Sequence, residues 1–277
     1  MQMVAAHGAR MPVIGFGTFR ASGDDCARGV AEALKVGYRA IDTAAGYQNE
    51  DKVAEGIRAS GVRREEIFIT TKVMPEDAEE GAFKASVERS LRLLDVDQVD
   101  LLLIHWPSRT VPVSKTVATL NACKEAGWTR HIGVSNFTVK LLGEAWAATR
   151  APLVTNQCEY HPYLNQDTLM AAARDHGMIF TAYSPIARGA VLKDPVVQRI
   201  AKAKGVTPAQ VVLRWDIQQE NVAAIPKSVS PERIRQNFDV FTFTLSGSEM
   251  AEITALSRSH KLRVANPSSV APDWDTK

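Results

Sequence analysis

Along the chain, short unbroken apolar runs alternate with longer segments in which apolar residues recur every three or four positions. Runs without alternation suit strands buried on both faces, so the pattern predicts a parallel sheet covered by helices. Eight strands are predicted, at 13–18, 38–41, 67–72, 99–105, 131–134, 153–157, 178–183 and 222–225. Between them, Ala27, Val30, Ala31 and Leu34 trace one helix face, and Phe83, Val87, Leu91 and Leu94 trace another. Thr207-Pro208 and Ser230-Pro231 each read as an N-cap followed by proline at the first helical position, so helices start there.

Eight strand–helix units in 277 residues predict an α/β fold closed as a (β/α)8 TIM barrel. A doubly wound open sheet would usually carry a glycine fingerprint after its first strand, and Gly15-Phe16-Gly17 is not followed by GxGxxG spacing. No Gly/Ser/Pro linker, charge block or low-complexity run divides the interior, so residues 1–277 are expected to form one domain. The residues around His7-Gly8 are expected to make a small hairpin that closes the barrel bottom.

Composition narrows the partners. The net charge is +2, with Lys and Arg dispersed among acids, which gives no support for nucleic-acid or membrane-surface binding. Neither a signal-peptide pattern nor an apolar run of about 18 residues is present, so a soluble cytoplasmic protein is expected. Cys26, Cys123 and Cys158 form no CxxC pair and read as reduced packing residues. The six histidines show neither HxH nor HExxH spacing, and no metal is expected.

A barrel gathers the carboxyl ends of all its strands on one face, so polar residues there converge although far apart in sequence. Thr18, Asp42, Lys72, His105, Ser135-Asn136, Gln157, Tyr183 and Lys227 each sit at or just past a predicted strand end. Tyr47 follows Asp42 closely and reads as a proton donor to a substrate oxygen. A phenol titrates near ~10, and an ammonium at ~4 Å would be worth on the order of 4 kcal/mol, so Lys72 is expected to bring Tyr47 toward neutrality. Asp42 would keep that buried ammonium charged. His105 would offer a neutral ring N–H to a carbonyl oxygen, while Phe19, Met74 and Trp106 would wall the pocket. Two rival readings are Lys72 as a Schiff-base nucleophile and a nucleotide-binding sensor without turnover.

A second cluster, Ile225-Pro226-Lys227-Ser228-Val229-Ser230-Pro231-Glu232-Arg233, joins a strand end to a capped helix and reads as an anion site. Tyr183, before Ser184-Pro185, suits an aromatic stacking position. Asn136 and Gln157 carry amides, and Ser135 a hydroxyl, suited to binding a carboxamide.

Three segments carry a resemblance to the aldo-keto reductases: GYRAIDTAAGYQNE from Gly37, HIGVSNF from His131 and IPKSVSPERIRQNF from Ile225. The resemblance extends from Pro12 to Trp274, and the ending LRVANPSSVAPDWD is similar to that of the bacterial 2,5-diketo-D-gluconate reductases, some of which also reduce methylglyoxal. It implies NADPH-dependent reduction of aldehydes and ketones by a monomer, without metal or flavin. It aligns Asp42, Tyr47, Lys72 and His105 on the family's catalytic set, and it implies a C-terminal loop over the barrel mouth. It places the cofactor on Gly17, Thr18, Phe19, Asp42, Ser135, Asn136, Gln157, Tyr183, Ser184, Lys227, Ser228, Val229, Arg233 and Asn237. The substrate falls to Phe19, Tyr47, Met74, His105 and Trp106. Ala54, Met74 and Gln236 depart from the family pattern, and of these Met74 bears on the pocket wall.

Overall fold

The computed structural model describes residues 1–275. Eight parallel strands run in sequence order: β3 (Phe16–Gly17), β4 (Ala40–Asp42), β5 (Phe68–Val73), β6 (Val99–Ile104), β7 (Thr129–Ser135), β8 (Leu153–Glu159), β9 (Ile179–Tyr183) and β10 (Val222–Ala224). The two sheet edges meet, because Ile14 bridges Ala224 in parallel, Ala224 N donates to Val13 O at 2.8 Å and Gly15 N donates to Ala224 O at 2.9 Å. Gly17 lies where a side chain would press on the Ile225 carbonyl oxygen, so its lack of a Cβ permits the closure. The sheet is thus a (β/α)8 barrel, with the predicted first strand cut to two ladder residues plus a bridge.

Ahead of the barrel, β1 (Met3–Ala6) and β2 (Ala9–Pro12) pair antiparallel, turned by His7 and Gly8 at φ 49° and 85°. Met11 and Pro12 face the same interior cavity as Ile41, Leu101 and Ala223, so the expected hairpin does plug the barrel. Helices α1 (Gly23–Val36), α2 (Glu50–Ser60), α3 (Glu80–Leu94), α4 (Val113–Glu125), α5 (Val139–Ala148) and α6 (Asp167–Asp175) follow β3 to β8 in turn. Two helices, α7 (Pro195–Lys204) and α8 (Pro208–Gln218), separate β9 from β10, and α9 (Pro231–Phe238) and α10 (Gly247–Ser259) come last.

Both predicted helix stripes are buried, and each large apolar side chain so covered contributes on the order of 1.5–3 kcal/mol before entropy is counted. Thr207 caps α8 in a reciprocal capping box with Gln210, and Ser230 Oγ caps α9 by accepting from Arg233 N. Asp100, near the start of β6, stitches that end of the barrel by accepting from Ile69 N and pairing with Arg64 and Arg130. Among the described residues, no helix is long and apolar enough to cross a membrane. All three cysteines are buried, and burial pushes their thiols up to about 11 for Cys26 and about 12 for Cys123 and Cys158, out of the reactive range.

Candidate active site

A cleft of about 730 Å³ opens at the carboxyl ends of the strands, within the ~300–1,000 Å³ range of cofactor and ligand sites. Gly17, Phe19, Asp42, Tyr47, Met74, His105, Trp106, Asn136, Gln157, Tyr183, Ser184 and Lys227 all line it, so most of the polar strand ends converge as the topology requires.

At the floor lies Lys72, fully buried on β5. Its ammonium donates to Asp42 Oδ1 at 2.5 Å, to the Thr43 carbonyl oxygen at 2.7 Å and to the Tyr47 hydroxyl at 3.3 Å. Burial pulls this ammonium down, but Asp42 and Tyr47 outweigh burial and hold its pKa above the usual lysine value. The second Asp42 oxygen, Oδ2, accepts from Gln157 Nε2 at 2.7 Å. Each oxygen of this buried carboxylate therefore has a partner.

Tyr47 ends a short 3-10 turn after β4, closed by Tyr47 N donating to Ala44 O at 3.0 Å. Within that turn Gly46 has no room for a Cβ, which would collide with the Met74 side chain. The phenol ring sits between Phe19, at 5.1 Å between centroids, and His105, at 5.5 Å edge to face. Its titration corrects the expectation drawn from sequence. Burial raises the phenol more than the Lys72 ammonium lowers it, and Asp42 adds to the rise, so Tyr47 titrates above its ordinary value rather than near neutrality. Lys72 offsets the desolvation of the phenol without reversing it.

His105 lies just past β6, and burial followed by the Lys72 charge pushes its pKa well below the usual histidine range, so the ring is neutral. Its Nδ1 is 3.1 Å from Met74 Sδ. Asn136 donates from Nδ2 to the His105 carbonyl at 2.9 Å and accepts from the Tyr183 hydroxyl at 2.7 Å. Asn136 and Ser184 take left-handed backbone at φ 62° and 50°, conformations that cost free energy and cluster at functional sites.

Other predicted residues are placed differently. Thr18 and Ser135 are wholly buried and commit their hydroxyls to carbonyl oxygens of Asp42 at 3.0 Å and Gln157 at 2.7 Å, tying adjacent strand ends together. Lys227 reaches the cleft, whereas Ser228 and Val229, on the approach to α9, and Arg233 and Asn237, on α9 itself, lie beyond its lining. Arg233 and Val229 are exposed, Asn237 is buried, and Ser228 Oγ accepts from Ser230 N at 3.1 Å.

Sequence reasoning missed Arg20 and Arg188, cations on the cleft wall, and the individual residues of the C-terminal segment, of which Val264, Ala265, Asn266 and Pro267 line the cleft. The implied loop over the mouth is there. It closes on itself where Trp274 Nε1 donates to Asn266 Oδ1 at 2.9 Å, and it is tied to the barrel where Arg109 donates to the Ala271 carbonyl at 2.9 Å.

A barrel with a buried acid and ammonium and a half-buried phenol and imidazole gathered at the carboxyl ends of its strands has the build of an enzyme. Residues 13–258 match the model of the Aldo/keto reductase family, and the chain belongs to that family of oxidoreductases. It is 41% identical over 268 residues to the methylglyoxal reductase DkgB of Escherichia coli O157:H7, covering 96% of this chain and 99% of that protein. It is also 44% identical over 268 residues to a morphine 6-dehydrogenase of Pseudomonas putida, covering 90% of this chain and 89% of that one. A crystal structure of a proposed 2,5-diketo-D-gluconic acid reductase B superposes with a TM-score of 0.97 at 45% identity, covering 99% of this chain and 98% of that one.

Proposed function

We propose that the protein reduces small aldehydes and ketones to alcohols with NADPH, using Tyr47 as the general acid, and that small dicarbonyls such as methylglyoxal or 2,5-diketo-D-gluconate are its substrates. The observation that carries this reading is the buried Lys72 ammonium bonded at once to Asp42, Thr43 and Tyr47 on the cleft floor.

The cleft suits a dinucleotide in shape and in chemistry. It has cations at Lys227, Arg20 and Arg188 for an anionic backbone, and the Tyr183 ring with the Asn136 and Gln157 amides for a flat carboxamide-bearing ring. Such a cofactor, when bound, supplies the hydride. The chain's own residues handle the oxygen. Tyr47, protonated because its pKa is raised, gives its proton to the carbonyl oxygen as negative charge develops there. Lys72 stabilises the phenolate left behind, and Asp42 keeps Lys72 charged in a dry site. Neutral His105 donates a ring N–H to the same oxygen and orients it. Phe19, Trp106 and Met74 supply the apolar wall.

Resemblance to a methylglyoxal reductase and to a proposed diketogluconate reductase favours small dicarbonyls, while a similar degree of resemblance to a morphine dehydrogenase calls for bulky substrates in the test. Loss of NADPH absorbance, and separately of NADH absorbance, is to be followed with methylglyoxal, 2,5-diketo-D-gluconate, an aromatic aldehyde and a polycyclic ketone, and kcat/KM compared. Turnover of the dicarbonyls with NADPH supports the proposal. Absence of turnover with every carbonyl, or a preference for NADH, defeats it.

A further inference from the structure

We infer that Glu159 is a positioning residue for the substrate pocket, its carboxylate latching the C-terminal segment at Val264 and Ala265 and so fixing the wall met by large substrates. The inference rests on reading the cleft as a carbonyl-reduction site.

Glu159 ends β8 and is fully buried. Its Oε1 accepts from Val264 N at 2.6 Å and its Oε2 from Ala265 N at 2.7 Å, so one carboxylate grips two consecutive backbone amides of a segment 105 and 106 residues further along the chain. The carboxylate is itself oriented by His161, whose Nε2 lies 2.9 Å from Oε1. His161 Nδ1 accepts from Tyr163 N at 3.3 Å, which leaves the ring proton on Nε2, pointing at Glu159. Tyr163 in turn accepts Leu262 N on its carbonyl at 3.1 Å, so the same loop holds the residues just before the latch. Between these anchors the Arg263 guanidinium lies 3.8 Å from the centre of the Trp274 ring; burial lowers its pKa, and the Glu159 charge is the largest influence opposing that fall.

From Lys261 to Asp275 the chain has no helix or strand, so no hydrogen-bond ladder sets its place. Its position depends on discrete anchors, and charge-assisted bonds to a buried carboxylate are about twice as strong as neutral ones. From the latch onward, Val264 to Pro267 line the cleft together with Phe19 and Trp106. The Lys227 end depends on β10 and α9, which Glu159 does not bond, and Tyr183, opposite Glu159 on β9, is held by backbone pairing and by Asn136 Oδ1, both left in place by a side-chain change at Glu159. Loosening Glu159 should therefore change which substrates fit without changing how the cofactor binds.

Glu159→Gln keeps the shape but sets an NH2 group against one of the two amides. Ala265→Pro removes one donor and leaves Glu159 intact. Amide hydrogen exchange at Val264 and Ala265 gives a readout independent of activity, and methylglyoxal and a polycyclic ketone give the kinetic one. In Glu159→Gln both amides are expected to exchange on the order of tenfold faster. KM for the polycyclic ketone should shift by about fivefold or more relative to methylglyoxal, with NADPH affinity and methylglyoxal kcat within about twofold of the parent. Ala265→Pro should reproduce the kinetic split. Unchanged exchange in Glu159→Gln, or an equal loss for both substrates, overturns the inference. If neither variant folds, the parent's own exchange decides, and amides at Val264 and Ala265 as labile as their exposed neighbour Asn266 also overturn it. If the parent reduces no carbonyl at all, the function reading fails while the exchange result still judges the latch.

Discussion

Asp42 at the barrel mouth and Asp216 on α8 are both buried, yet their surroundings have little in common. Asp42 is bonded by Lys72 on one oxygen and Gln157 on the other. Asp216 has no hydrogen-bond partner on either oxygen among the described residues, and burial pushes its carboxyl well above the usual carboxylate range. An unpaired buried carboxylate is costly enough that the group takes up a proton instead. The mouth thus retains charge because partners were built around it, whereas on α8 a proton takes the partner's place. Partners are the rule for buried charges, as Asp100 with Arg64 and Arg130 shows near the start of β6, so changes at the partnered and the unpartnered carboxylate should have opposite consequences.

The largest effect is expected at Tyr47, the proposed general acid. Tyr47→Phe should cut turnover by ~10²–10⁴ while NADPH affinity, read by fluorescence titration, stays unchanged. The raised phenol pKa fixes the sign of the pH dependence. In the proposed mechanism reduction draws on the protonated phenol, so its rate should be flat from about pH 6 to 9, below the ordinary tyrosine value of ~10. Alcohol oxidation uses the phenolate and should climb about tenfold per pH unit across that range. An oxidation rate already level near pH 7 would show that Tyr47 titrates low, as the sequence suggested and the burial contradicts.

Asp42→Asn removes the charge from the partnered site. It deprives a fully buried ammonium of its charge partner, and losing one member of such a pair costs about 3–5 kcal/mol. Urea unfolding should show that loss, together with a fall in turnover as Lys72 gives up its proton. A variant as stable as the parent would mean that neutral acceptors, Thr43 O, Tyr47 and the new amide oxygen, satisfy Lys72 without the carboxylate charge.

The mouth was legible in the sequence because barrel topology alone brings strand ends together: Asp42, Tyr47, His105, Asn136, Gln157, Tyr183 and Lys227 meet without any contact having to be known. Glu159 escaped because the apolar run stops early. The predicted strand ended at Gln157, but pairing of β8 with β9 continues through Cys158 and Glu159. The segment after Lys261 has no period to read, and only family resemblance placed it over the mouth. Tyr47 was misjudged in direction because spacing reveals a neighbouring charge but not how much water burial removes. Asp216 gave no signal at all, standing as one polar residue between Trp215 and Ile217 on a helix whose start, at Thr207-Pro208, was clear.

Asp216→Leu should stabilise the protein at neutral pH by about 1–3 kcal/mol, the cost of an unsatisfied buried polar group. The pH dependence carries the argument. The folded carboxyl titrates well above its unfolded value near ~3.9, so between the two values the native state holds a proton that the unfolded state has lost. The parent therefore loses stability as pH rises through that window, and the variant does not. Thermal unfolding of both proteins should show a gap that is small near pH 4 and widens toward pH 7. A gap that stays constant would mean that Asp216 does not titrate in that window.

The smallest effect concerns a neutral contact at the mouth, where no charge is at stake. Met74 Sδ touches His105 Nδ1 at 3.1 Å and fills the space that Gly46 leaves by lacking a side chain. A neutral imidazole carries one N–H, which the proposed role gives to the substrate oxygen, so Sδ meets Nδ1 as a packing contact, and sulfur–aromatic contacts are worth about 0.3–1.5 kcal/mol. Met74→Leu conserves volume and removes the sulfur, so kcat/KM should fall by roughly two- to tenfold for every carbonyl alike. The loss should be in kcat rather than KM, because the contact steadies a ring proposed to act on the forming alkoxide. A loss confined to large substrates would make Met74 a wall residue only, and would leave the orientation of His105 to the backbone and to Asn136, which bonds the His105 carbonyl.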